Sequence, residues 1–139
     1  MRIEREVLQR STTAETDVLD LTRDVEEVVA RTGIERGSVL VFVPGSTGAI
    51  TTIEYESGAV ADLKRAIERI APQAAEYEHD LRWGDGNGYS HVRAALMGPS
   101  LVLPVWDGRV EHGTWQQIVL CDFDNKPRSR RIVVQVTGV

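Results

Sequence analysis

Leu101-Val102-Leu103-Pro104-Val105, Gln116-Gln117-Ile118-Val119-Leu120-Cys121-Asp122-Phe123 and Arg130-Arg131-Ile132-Val133-Val134-Gln135-Val136-Thr137 follow one another in the last third of the chain. Each is rich in β-branched residues and too short for an isolated helix, so each reads as a strand. Asp107-Gly108 is a hairpin signal that starts a further strand, Arg109 to His112. Asp124-Asn125-Lys126-Pro127 is the turn before the last strand. Working back from there, His91 to Met97 reads as a short helix ended by Gly98-Pro99, and residues 71–90 as a long connection. Ala59 to Ile70 places Val60, Leu63, Ile67 and Ile70 on one helical face. Ala49 to Tyr55 and Ser38 to Val43 are strands separated by Pro44-Gly45-Ser46-Thr47-Gly48. A helix capped by Asp17 or Asp20 runs to about Arg31 and stops at Gly33. Ser11 to Thr16 is a loop, and Arg2 to Leu8 an edge strand. Helices early and strands late describe one α+β domain over residues 1–139, with about seven or eight strands, three helices and a largely antiparallel sheet.

The net charge of -5 argues against non-specific nucleic-acid binding, which needs a basic surface. A basic strip, Lys126, Arg128, Arg130 and Arg131, reads as a solvated strand edge. With Cys121 as the single cysteine, an internal disulfide and a cysteine-based zinc cluster are both excluded. Its apolar neighbours make it a small buried residue rather than a nucleophile. The charged start, Met1-Arg2-Ile3-Glu4-Arg5-Glu6, lacks a signal-peptide core, and no run of about 20 apolar residues exists. The expectation is a cytoplasmic protein with no membrane partner.

Two of the three histidines, His79 and His91, flank the turn Gly84-Asp85-Gly86-Asn87-Gly88-Tyr89-Ser90. Imidazoles bind metals or carry protons near neutral pH. His79 and His91 could supply two zinc ligands, and Asp80, Glu54 or Asp85 a third; loop histidines bonded to backbone are the plainer alternative. Gly86, Asn87 and Gly88, opening a helix, suit either an anion site or a turn needing positive φ. Ser46 and Thr47 offer hydroxyls to a phosphate, or simply connect two strands. Thr114, Trp115 and Gln116 suit stacking and hydrogen bonding to a heteroaromatic ring, or an interface. His112 is expected on a strand face without a role.

Together, Val43-Pro44-Gly45-Ser46-Thr47-Gly48-Ala49-Ile50-Thr51-Thr52-Ile53-Glu54, His79-Asp80, Gly86 to Ala94, Gly98-Pro99-Ser100, Gly113 to Ile118 and Arg128 to Arg131 resemble the YjbQ family, whose members are often labelled secondary thiamine-phosphate synthase. The resemblance implies a compact, mostly antiparallel β-sandwich-like α+β domain with two or three helices, assembled as a homotrimer. It also implies a pocket near the subunit boundary that holds the histidines. The implied activity joins a hydroxymethylpyrimidine diphosphate to a thiazole phosphate. Many members carry His-Thr-Thr at Gly45-Ser46-Thr47, Asn-Glu at Ile53-Glu54, and some a histidine at Tyr89. This chain therefore keeps His79 and His91 of three imidazoles, with Glu54 as a substituting carboxylate.

The resulting expectation is an enzyme acting on a phosphorylated small molecule. In it His79 and His91 ligate a divalent metal (zinc or magnesium) or move protons, alongside Glu54. Ser46, Thr47, Gly86, Asn87, Gly88 and Arg93 hold the phosphate, and Thr114, Trp115 and Gln116 hold the heterocycle. The alternative is a non-catalytic trimeric module that binds a phosphorylated metabolite or a metal. A purely structural subunit leaves the histidine segment without a purpose.

Overall fold

Alternation along the late strands sets the layers. In the computed structural model, which describes residues 1–139, β8 (Ser129–Gly138) buries Ile132, Val134 and Val136 on one face. It lies between β1 (Arg2–Ser11) and β3 (Arg36–Phe42), and β5 (Ser100–Trp106) and β6 (Arg109–Val110) complete a five-stranded sheet in the order β1-β8-β3-β5-β6. A second sheet places β7 (Gln117–Asp122) between β2 (Asp17–Asp20) and β4 (Gly48–Ile53). Every strand pairing is antiparallel. Ile50, Ile118 and Leu120 of the smaller sheet meet Val39, Val41, Ile132, Val134 and Val136 of the larger one in a core of 16 buried residues. The architecture is the expected antiparallel sandwich of an α+β protein, each buried valine or isoleucine contributing about 1.5–3 kcal/mol.

Helix α1 (Thr22–Thr32) closes the sandwich through Val25, Val28 and Val29, with Leu21 just before it. It ends at Gly33 in the left-handed conformation, as expected. Its start differs from the expectation. Asp17 accepts hydrogen bonds from the Thr13 amide and hydroxyl and so ties a loop, while Val18 is a strand residue opposite Cys121. Asp20 accepts from the Thr22 amide, and the chain turns into the helix only there.

Helices α2 (Ser57–Ile70) and α4 (Gly88–Met97) cover the far face of the smaller sheet, where Ile67 and Ala94 pack with Ala49, Val119, Cys121 and Phe123. Ile70 does not share that face. It is 64% exposed, because the buried position at the end of α2 is taken by Ala71. Residues 71–90 are not one loop: they contain a fourth helix, α3 (Glu78–Trp83), and α4 starts at Gly88, three residues before the expected start. The Asp124–Pro127 turn joins strands of different sheets rather than forming a hairpin. Asp107 (φ 51) and Gly108 (φ 73) do form the expected tight hairpin. After it β6 lasts two residues, and His112 leaves the sheet to meet α1. No helix is long and apolar enough to cross a membrane.

The outer face of the larger sheet carries no helix. Strand register places Ile3, Val7, Leu40, Phe42, Val102 and Trp106 on it, and Ile3 and Val102 are more than half exposed.

Candidate functional site

The α3–α4 corner is pinned by a residue that must be glycine. A Cβ on Gly88 would lie 2.5 Å from the Tyr77 Cβ, and the Gly88 amide donates to Asp80 Oδ1 at 2.8 Å. This close approach draws the histidines together: the rings of His79 and His91 have centroids 4.4 Å apart and are tilted by 41°. His79 Nδ1 stands 3.6 Å from Asp80 Oδ1 and 3.4 Å from Asp85 Oδ1, yet it is buried without a hydrogen bond. Asn87 is buried, and its Oδ1 is also unpartnered. Ligand atoms of His79, Asp80 and Asp85 lie within 4.8 Å of one another. Imidazole nitrogen with carboxylate oxygen is a donor set that zinc accepts more readily than magnesium.

Facing this corner is a polar network carried by β7, β8 and the Pro44–Gly48 turn. Thr47, Asp122, Asp124 and Arg130 are all buried. Arg130 donates from Nε to Asp122 Oδ2 at 2.7 Å and from Nη2 to Thr47 Oγ1 at 2.6 Å. The Thr47 hydroxyl donates to Asp124 Oδ2, which also accepts from Arg128 Nε at 2.6 Å. Burial pushes the Asp124 carboxyl upward, but Arg128, Thr47 and the Asn125 amide outweigh it and hold its pKa below the usual value. The Asn125 side chain then donates to the Asp85 carbonyl and links the two walls. Between them lies an open cavity of about 530 Å³.

His79, His91, Asn87, Ser46 and Thr47 all line this cavity, as expected of a common site. Gly86 and Gly88 shape the corner behind it. The Gly88 amide, expected to meet a phosphate, already serves Asp80. Arg93 is turned away: its Nε donates to the Ala71 carbonyl, its Nη2 meets Glu68, and the guanidinium stacks on Tyr89, so it clamps α4 to α2. Glu54 and Trp115 line a separate cavity of about 360 Å³ with Asp20, Tyr55, Glu56 and Gln117. Thr114 and Gln116 are tied into that loop, through the Thr114 carbonyl to Gln117 and through Gln116 Oε1 to the Gly113 amide. Within one chain the expected site residues thus fall into two groups, with Arg93 belonging to neither.

Arg128 and Arg130 are cavity residues, which corrects the reading of the basic strip as a solvated edge. A signal was available. Arg130 shares its parity with Ile132 and Val134, so it faces the core, where a charge needs a partner. Asp122 offered the same signal, since it shares its parity with Ile118 and Leu120, whereas Asp124 lies beyond the end of β7 and offered none. Cys121 is buried, and burial pushes its thiol up to about 12, in keeping with an inert packing residue.

Residues 6–139 match the family described as "UPF0047 protein YjbQ-like". A UPF0047 protein of Archaeoglobus fulgidus is 36% identical over 128 residues, spanning 92% of this chain and 97% of that one. The UPF0047 protein YugU of Bacillus subtilis is 36% identical over 132 residues, 94% of this chain and 97% of the relative. Among solved structures, a YbjQ-like protein of unknown function from Sulfolobus solfataricus superposes with a TM-score of 0.95 at 32% identity, covering 99% of both chains. A hypothetical protein from Aeropyrum pernix gives a TM-score of 0.91 at 31% identity, over 98% of this chain and 99% of that one.

Proposed function

Since the chain belongs to the YjbQ-like UPF0047 family, we propose that its cavity is the active site of an enzyme acting on a phosphorylated small molecule. One observation carries this reading: two imidazoles, two guanidiniums and a hydroxyl-bearing turn line the same cavity. In and directly behind its walls, the carboxylates of Asp80, Asp85, Asp122 and Asp124 outnumber the guanidiniums of Arg128 and Arg130. A phosphate entering alone meets net repulsion, so the balance favours a divalent cation beside it. His79, with Asp80 and Asp85, would hold that cation, and the orphaned His79 Nδ1 fits the role. When bound, it would supply charge neutralisation for a departing phosphate or diphosphate. His91, in the first turn of α4 with its ring 4.4 Å from that of His79, would give a proton to a leaving oxygen or add a ligand.

The reaction that the family resemblance puts first is thiamine-phosphate synthesis. The pyrimidine methylene carbon bonds to the thiazole nitrogen as its bond to the diphosphate oxygen breaks. The test supplies both precursors, with zinc or magnesium, and measures thiamine phosphate. Product from the native protein, lost in His79→Ala and His91→Ala, supports the reading; output no greater than in those variants removes it.

A second reading, a non-catalytic trimeric module that binds a phosphorylated metabolite or a metal, is favoured by the distance between the histidine cavity and Trp115. In one chain the expected platform, Trp115, stands at the other cavity, and the aromatic ring beside the phosphate groups is the exposed Trp83 instead. Ligand-induced thermal shifts without turnover across a substrate panel would select it. Both readings include a homotrimer, supported by the uncovered apolar face of the larger sheet. Light scattering at low protein concentration tests that assembly.

A further inference from the structure

We infer that the phosphoryl group is seated on the Arg130 wall, against Arg130 Nη1 and the Gly45-Ser46-Thr47 turn, and not on the N-terminus of α4. The inference rests on the reading of this cavity as a site for phosphorylated molecules, and it adds where the anion sits.

The α4 terminus is the obvious candidate, since free amides and the helix dipole attract anions. Here that position is taken from within the chain. Asp80 Oδ1 accepts from the Gly88 amide at 2.8 Å, and the Asp85 carboxylate stands 3.4 Å from His79 Nδ1 beside it. A second anion placed there would face two carboxylates at close range. The same carboxylates make that wall a place for a cation.

The opposite wall is balanced rather than negative, because its two carboxylates, Asp124 and Asp122, are each paired with a guanidinium, Arg128 and Arg130. Arg130 is 7% exposed and is oriented by two bonds, to Asp122 and to Thr47. Its Nη1 makes no hydrogen bond within the chain, although Arg130 lines the cavity. A guanidinium fixed on two of its nitrogens and open on the third is prearranged for an oxyanion. Gly45 is what leaves it open. A Cβ at that position would lie 2.9 Å from Nη1, and its φ of 114° disfavours any side chain. The amides of Gly45 and Ser46 have no partner in the chain either, and both residues line the same cavity as Arg130. The chemistry recognised is a terminal phosphate or diphosphate, delivered over Gly45.

The test titrates inorganic pyrophosphate into the full chain, with zinc present and without it, and follows amide and Arg130 Nε–H chemical shifts alongside calorimetry. The expected result is that the largest shifts fall on Gly45, Ser46, Thr47 and Arg130. Arg130→Lys, which keeps the charge but loses the fixed fork, should weaken binding about tenfold or more. Gly45→Ala, which leaves the Arg130–Asp122 pair in place and covers Nη1, should weaken it to a similar degree, so the inference does not depend on one variant folding. Largest shifts at Gly88–His91, or unchanged affinity in both variants, would overturn the seat while leaving the phosphorylated-ligand reading intact. No binding by the native protein in either condition would remove both.

Discussion

On the strand side of the cavity, Thr47, Asp122, Asp124 and Arg130 are buried and bonded to one another. On the helix side, His79 Nδ1 and Asn87 Oδ1 have no partner, and the carboxylates of Asp80 and Asp85 are partly exposed. Both walls are polar, yet the charges of the strand wall are paired within the chain, leaving only Arg130 Nη1 and the Gly45 and Ser46 amides open, whereas the helix wall leaves His79 Nδ1 and Asn87 Oδ1 unpaired. The strand wall answers to folding: a buried charge must be neutralised before the sheets can close over it. The helix wall answers to a ligand, since its orphaned acceptors cost free energy until something with positive charge fills them.

If that contrast holds, breaking the strand wall should damage the fold most. Asp122→Ala strands the Arg130 guanidinium in the interior and should lower unfolding free energy by about 3–5 kcal/mol, read from a urea melt. A loss confined to about 1 kcal/mol, the size of an ordinary substitution, would mean that the two walls do not differ in kind. The helix wall should respond in affinity instead. His79→Ala is expected to weaken zinc binding about 100-fold or more by calorimetry, exceeding the roughly 10–100-fold typical of an outer partner, with little change in the melt of the metal-free protein.

A smaller effect would show that the walls act together. Because carboxylates outnumber guanidiniums around the cavity, saturating zinc should tighten pyrophosphate binding by about 1–2 kcal/mol, with reciprocal tightening of zinc by pyrophosphate. Equal affinity with and without zinc would separate the walls into independent sites.

His112 gives the smallest effect and a contrast to His79. Its Nε2 faces Glu26 Oε1 at 2.7 Å and its Nδ1 faces the Gly113 carbonyl at 2.9 Å, so both nitrogens meet acceptors. The Glu26 hydrogen bond raises its pKa above the usual value, with the Gly113 carbonyl adding to it and burial opposing. A raised folded-state value means that the stabilisation is complete below the unfolded pKa of about 6.5 and fades as pH rises through the folded one. The native protein should lose a fraction of about 1 kcal/mol relative to His112→Gln between mildly acidic and alkaline pH, seen as converging thermal midpoints.

The strands and most helices were readable because each carries its own periodicity. Ile132, Val134 and Val136 alternate toward the core, and Val25, Val28 and Val29 fall on one helical face. The elements misread were those whose state depends on a distant partner. Val18 fits a helix by spacing but pairs with Cys121 as a strand. Glu78 to Trp83 carries no buried residue, so it had no apolar period from which α3 could be recognised. The histidine site was half legible: His79 and His91 stood out by residue type, whereas Arg128 and Arg130 passed for a surface strip.

By itself the sequence determined the antiparallel α+β architecture, the family, and two imidazoles beside a tight glycine turn, because side-chain alternation and the steric freedom of glycine act over a few residues. Only the tertiary structure decided that these imidazoles face Arg130, that Arg93 turns to Glu68, and that Trp115 lies at another cavity. Charge pairing and cavity shape depend on segments far apart in the chain, and their meeting is settled only when the two sheets and the helices close on one core.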